Sequence, residues 1–251
     1  MRRNPWTIAV HLIGLVTRIN VFRAVLMALT IGGCLNAADI HGTIVIKHRL
    51  TKKRVTASAG AYERGAAVEL SSDPINRDPL DYERSRVIIF VDGELPSQPA
   101  NAVMEQKNRV FLPDLVTIPA GSTVSFPNSD PVFHNVFSLS RIKSFDLGNY
   151  AKGQTRTVTF SKPGVVMVNC RLHTNMAAVI VVSPNQWTTR ADEQGHFVLR
   201  NVPAGKYTLI AWHKAAGSFK QMVPVSQTHA PDVEFFIPLD ENGRIVAQTS
   251  K

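Results

Sequence analysis

The stretch KPGVVMVNCRLHTNMAAVIVV (Lys162–Val182) decides how this chain is read. Two apolar runs rich in β-branched residues, VVMVN and AAVIVV, flank a loop that holds Cys170, His173 and Met176. Runs of this length, introduced by a Pro-Gly turn, read as strands and not helices. A short loop between neighbouring strands can aim a thiol, an imidazole and a thioether at one point. The chain has only two cysteines, so a thiol in such company calls for an explanation.

Working outward, the texture stays that of short strands. From Ala102 come RVFLPDLVTIP, the turn AGS, then TVSFPNSDPVFHNVFSL, QTRTVTF and the turn SKPG. Several strands parted by Gly/Pro turns predict a β-sandwich or barrel. Past Ser183, TTRADEQGHFVLRNVPAGKYTLIAWHKAAG places Phe197, Leu199 and Val202 ahead of a Pro-Ala-Gly turn. With KQMVPVS and VEFFIPL it makes a second, smaller sandwich, and DEQG reads as a hairpin turn. Before Ala102, DIHGTIVIKHRLTKKRV reads as a strand, a basic turn and the start of another strand. AGAYERGAAVELSSDPINRDPLDYERS reads as a long surface connection, and RVIIFVDGELP as a buried strand at Val87–Val91. No long segment has helical periodicity, no repeat is present, and the tail DENGRIVAQTSK reads as frayed. The predicted fold class is all-β, with two sandwiches.

The formal charge of +9 owes four units to Arg2, Arg3, Arg18 and Arg23, in a segment without acidic residues. That segment, followed by AVLMALTIGG (Ala24–Gly33) and the small residues of CLNAADI, reads as an export signal cleaved near Ala37 or Ala38. IGGC (Ile31–Cys34) also fits a lipobox, in which case Cys34 is a lipid anchor and the only membrane attachment. The arginines cut the apolar stretch too short to span a bilayer. Either route puts the protein in the periplasm or outside the cell. Either route also removes Cys34 from disulfide chemistry, leaving Cys170 unpaired in an oxidising compartment. The remaining excess of positive charge suits an acidic partner or a membrane surface. The densest basic run, KHRLTKKR (Lys47–Arg54), has no interleaved aromatics to stack bases, so nucleic acid is excluded.

A thiolate and two imidazoles with a weak thioether are the donors of a blue-copper site. The loop pattern C-x2-H-x2-M supplies Cys170, His173 and Met176. An earlier strand offers His134, in FPNSDPVFHNVF, as the fourth donor. Taken singly, each residue is more simply a buried thiol, a strand histidine or a core methionine. Zinc is the main rival metal, although structural zinc sites lack thioethers.

VTIPAGSTVSFPNSDPVFHNV and KPGVVMVNCRLHTNMAAVIVV together resemble the cupredoxins, plastocyanin and amicyanin above all, and the plastocyanin-like proteins of methylamine utilisation. The resemblance spans Ala102–Ser183 and implies a Greek-key cupredoxin sandwich with one type 1 copper. It implies that His134, Cys170, His173 and Met176 are the ligands, and that Asn135 braces the cysteine loop by hydrogen bonds. Thr174 stands where amicyanin-like loops usually carry proline, which leaves the loop less rigid. ADEQGHFVLRNVPAGKYTLIAWH resembles carboxypeptidase regulatory-like, or prealbumin-like, domains, a likeness of fold that assigns no function.

The expected organisation is a signal over 1–38, an N-terminal β segment over 39–101, the cupredoxin domain over 102–183, and the second sandwich with its tail over 184–251. GTIVIKHR and RVIIFVDG resemble opening strands of the second sandwich, so the N-terminal segment is expected to complete it, with the cupredoxin as an insertion. The expected function is one-electron transfer between redox protein partners, without catalysis. Four protein ligands leave no open position, and the H-x-H pairs that further copper centres use are absent. His41, His48, His196, His213 and His229 have no metal-ligand spacing, and His213 reads as structural. Phe133, Phe137 and Leu172 are the candidate docking rim. The alternatives are a periplasmic copper carrier or buffer, which the scattered methionines disfavour, and a non-catalytic envelope protein whose second sandwich binds a ligand.

Overall fold

A computed structural model describes residues 37–47, 50 and 78–237. The stretch expected to be an export signal, through residue 36, lies outside the described residues, as do most of the expected basic turn and surface connection and the tail.

Among the described residues, seventeen strands and one short helix follow in order. They open with β1 (Ala37–Ile46), α1 (Pro79–Arg84), β2 (Ile88–Asp92), β3 (Asn101–Val103), β4 (Glu105–Lys107) and β5 (Val110–Leu112). Next come β6 (Leu115–Pro119), β7 (Ser122–Pro127), β8 (His134–Ser140), β9 (Lys143–Tyr150), β10 (Thr155–Phe160) and β11 (Gly164–Asn169). The last are β12 (Ala177–Ser183), β13 (Thr188–Arg190), β14 (His196–Pro203), β15 (Gly205–His213), β16 (Gly217–Val225) and β17 (Val233–Ile237). The all-β expectation holds.

The first sandwich packs the sheet β6-β12-β11-β8-β9 against β10-β7-β3, with the hairpin β4-β5 alongside. Val166, Val168, Ala178, Ile180 and Val182 from one sheet meet Val124, Phe126, Val158 and Phe160 from the other. The second sandwich packs β14-β1-β17 against β13-β2-β15-β16. β1 lies between β14 and β17, and β2 lies between β13 and β15, so the N-terminal strands are interior strands of the sheets formed by the C-terminal ones. Their core joins Ile40, Ile44, Val87 and Ile89 to Phe197, Leu199, Leu209 and Phe235. DEQG is a turn, yet it joins β13 and β14 of different sheets, so it closes no hairpin.

A third, smaller cluster joins the two sandwiches. Ile88, Leu115, Val179 and Val181 bury there with Phe90, Val165, Met167 and Trp212 packed around them. The alternation along β11 and β12 explains it: even residues face the first core and odd residues face the junction. Arg86 Nη1 bonds Asp114 Oδ1 at 2.5 Å and the Thr117 and Thr188 hydroxyls meet at 2.8 Å, tying the same two sheets at their margin.

One expectation is corrected. The end of the supposed surface connection is the helix α1, with the Asp78 carboxylate accepting from the Leu80 N–H at 2.9 Å and Pro79 in its first turn. Six residues are too few to show a helical period. Its Glu83 is fully buried and lies 3.2 Å from His213 Nε2, so His213 pins the helix to the sheet.

Gly42 lies in β1 between two neighbouring strands. A Cβ there would come within 2.3 Å of the Phe197 ring and 2.4 Å of the Val233 carbonyl oxygen, and the oxygen belongs to a paired backbone. Gly42→Ala should therefore destabilise the protein by about 2–3 kcal/mol, an overpacking effect, measured as a lowered urea midpoint.

Candidate metal centre

The connection Cys170–Met176 begins where the β11–β12 register ends, at the pair Asn169 and Ala177. Main-chain bonds fold it back on itself: Cys170 N–H to the Met176 carbonyl at 3.2 Å, and Met176 N–H to the His173 carbonyl at 3.0 Å. Cys170 and Met176 drop into the first core, 4% and 1% exposed, whereas His173 is half-buried at the rim. β8 hydrogen-bonds to β11 through Phe137 and Asn169, which carries His134 to the same end of the sheet. His134 is fully buried. A register shift between Asn135 and Phe137 bulges β8 just past it, a device that re-aims side chains beside functional sites.

The donor atoms of His134, Cys170 and His173 all lie within 4.8 Å of one another, and no other group of His, Cys, Asp or Glu among the described residues is so arranged. Cys170 Sγ is 4.0 Å from His134 Nδ1 and 3.8 Å from His173 Nδ1, and the two Nδ1 atoms are 3.1 Å apart. Edges of that size fit an ion about 2.0–2.3 Å from each donor, the usual range for metal–nitrogen and metal–thiolate bonds. One soft sulfur and two imidazoles are a donor set that suits copper. The His173 pKa is held down by burial, then by His134 and Arg109, with Asp130 opposing, so its ring stays in the neutral form that binds metal.

The turn before β8 contributes a residue that the sequence reading missed. Asp130, 5% exposed, places Oδ2 2.7 Å from His134 Nε2. The hairpin tip between β4 and β5 has positive φ at Asn108 and Arg109, and both amides donate to the same carboxylate, at 2.6 and 2.8 Å. Burial alone would raise the Asp130 pKa, but these amides and the His134 ring outweigh it and hold the carboxyl below the usual range. Asn128 knots the turn, accepting from the Asp130 N–H and donating to the carbonyls of Val132 and Tyr150. The Tyr150 phenol, pushed up to about 12 chiefly by burial, stays protonated and donates to the Phe126 carbonyl. The only sequence signal for Asp130 was its place four residues before His134, a spacing without meaning until the turn is folded.

Asn135 makes hydrogen bonds on two sides beside the loop. Its backbone N–H points at Cys170 Sγ from 3.5 Å, while its side-chain N–H donates to Asp146 Oδ1 at 2.6 Å. Asp146 in turn accepts from Arg171 Nε at 2.9 Å, and the Arg171 guanidinium lies 4.4 Å from the centre of the Phe137 ring. The brace therefore runs from Asn135 through Asp146 to the residue after Cys170. Asn135 Oδ1 is buried without a partner. Phe137, expected in an exposed rim, is half-buried and covered by Arg171, whereas Phe133 and Leu172 are 59% and 47% exposed.

A family model described as polysaccharide lyase family 4, domain II, matches residues 171–233, from the end of the expected cupredoxin domain into the stretch where a carboxypeptidase regulatory-like domain was expected. No curated protein matches the chain. Similar solved structures include amicyanin from Paracoccus versutus, with 29% identity over 38% of this chain and 97% of that one, at a TM-score of 0.32. A purple cupredoxin from Nitrosopumilus maritimus has 24% identity over 33% of this chain and 99% of its own, at 0.31. A copper-containing nitrite reductase from Thermus scotoductus has 24% identity over 36% of this chain, at 0.32. The matched part spans only 24% of that reductase.

The Gly148 amide, then Asn135 and Arg171, hold the Asp146 carboxyl below its ordinary value. A depressed carboxyl stabilises the fold above its unfolded value and loses that contribution as pH falls through the folded one. Asp146→Asn should lower stability at neutral pH by about 1 kcal/mol, discounted for solvent screening. Urea midpoints of the two proteins should converge as pH drops below 3.8.

Proposed function

We propose that the chain is an exported cupredoxin that holds one type 1 copper and carries single electrons between redox partners, without catalysing a reaction. The observation that carries this reading is the meeting of one sulfur and two Nδ1 atoms, with edges of 3.1–4.0 Å, at the end of a β-sandwich core. Cys170 would be the strong soft donor, His134 the buried imidazole, His173 the imidazole nearest solvent, and Met176 a weak thioether donor. When bound, copper in such a set supplies a one-electron couple acceptable to both oxidation states. A single thiolate with a thioether at hand argues against structural zinc.

The protein's own part is to hold the donors still. Bonds from Asp130 to the His134 ring and from the Asn135 amide to Cys170 Sγ restrict both ligands. That restriction suits electron transfer, where little should move, better than a carrier that must surrender its ion. Among the described residues, Met104 and Met176 are fully buried, Met167 is at the sandwich junction, and only Met222 is widely exposed, so no methionine cluster there favours copper relay. Four protein donors leave no position for a substrate, which supports a non-catalytic role. Phe133 and Leu172, exposed beside the two histidines in sequence, form the apolar rim proposed for partner docking. Export rests on the N-terminal sequence pattern, with Cys34 lipidation as its variant.

The test is the visible spectrum of the full chain loaded with Cu(II). An intense thiolate-to-copper band that disappears in Cys170→Ser supports the reading. A colourless complex, or a colour that survives the substitution, overturns it.

A further inference from the structure

Asp130 is a buried anion with one face turned to a metal-donor histidine. Its Oδ2 lies 2.7 Å from His134 Nε2, and the Asn108 and Arg109 amides donate to its two oxygens from 2.6 and 2.8 Å. Among the described residues, no Lys or Arg side chain is paired with it at salt-bridge distance. Asn108 and Arg109 are adjacent at a hairpin tip and both have positive φ, so their N–H groups point the same way and form a small anion cradle. The carboxylate is thus fixed in place by backbone and not by a mobile side chain.

We infer that Asp130 is a positioning residue that sets the tautomer of His134 and biases the centre toward the more highly charged oxidation state of its metal. The inference rests on the copper reading above. The chemistry has two parts. An ionised carboxylate is acceptor-only, so the His134 proton sits on Nε2 and the lone pair sits on Nδ1, the atom that faces Cys170 and His173. A carboxylate behind a ligating imidazole also raises the basicity of the ring, as second partners of metal-bound histidines do. Both the more basic ring and the nearby negative charge favour Cu(II) over Cu(I), because the extra positive charge is the one being stabilised. Both oxygens of the carboxyl accept main-chain N–H groups, the arrangement that the acceptor-only ionised form fits.

The experiment compares the full chain with Asp130→Asn and Asp130→Ala. Asn keeps the size and an oxygen acceptor but loses the charge; Ala loses both. The copper-loaded proteins are titrated electrochemically, and the metal-free proteins are examined by long-range proton–nitrogen NMR of the histidine rings. In the wild type, metal-free His134 should carry its proton on Nε2. Both variants should favour Cu(I) by about tenfold relative to wild type, a rise of about 59 mV for a one-electron couple. Asp130→Ala should also show a mixture of His134 tautomers. Unchanged potentials in variants that keep the thiolate–copper band would overturn this inference and leave the copper reading standing. A wild-type His134 protonated on Nδ1 would overturn it without any variant. Absence of the band in the wild type overturns both readings.

Discussion

The strands β11 and β12 are covered on both faces, and the loop Cys170–Met176 depends on that. β11 and β12 send Val166, Val168, Ile180 and Val182 into one core and Val165, Met167, Val179 and Val181 into another. A one-residue slip in either strand would exchange the two sets, forcing side chains of other sizes into two close-packed cores, so packing on both sides holds the register. Cys170–Met176 spans the gap between strands whose relative position is settled from both sides. A loop with Thr174 in place of a stiffening proline can therefore still return Met176 to the core and keep Cys170 buried. The second sandwich contributes to the centre in this indirect way, as the outer layer against which the cysteine strand is packed.

Around the donor atoms, charge is arranged in two separate acid-centred networks. Asp130 serves the His134 side and receives backbone amides, so its geometry belongs to the β4-β5 hairpin. Asp146 serves the Cys170 side and links Asn135 to Arg171, with the guanidinium spread over Phe137. Each holds its carboxylate below the ordinary range by hydrogen bonding to the charged form. The surface between them is apolar and exposed at Phe133 and Leu172. The donor atoms thus lie in a buried, polar-braced interior beside an apolar, exposed margin.

The chain path adds a constraint of its own. β1 and β2 lie in the middle of sheets whose remaining strands come from β13 onward, so the second core cannot form until residues far apart in sequence meet. Such non-local pairing is slow to fold, since loop closure precedes the contacts that reward it. Glu83 and His213, both fully buried and 3.2 Å apart, join the helix before β2 to the end of β15. They fasten the same two distant stretches of chain.

The sequence alone determined the strands and the loop. Period-two alternation, Gly/Pro turns and the C-x2-H-x2-M spacing are local properties, and each is written in consecutive residues. It also singled out His134 and Asn135, because a family resemblance carries distant residues together. Tertiary structure decided what stands behind those residues. Asp130, Asn108 and Arg109 meet only when a turn and a hairpin from different parts of the chain pack together. The Asn135 amide turned to Asp146 because β8 and β9 pair with a bulge there, and Phe137 lost its exposure to Arg171. The helix α1 and its buried Glu83 were invisible because one short turn has no period, and its stability comes from capping and from His213. Local pattern specifies which elements form, since propensity and periodicity act over a few residues. The partners of a buried polar group are chosen by packing, because only packing removes the water that would otherwise satisfy it.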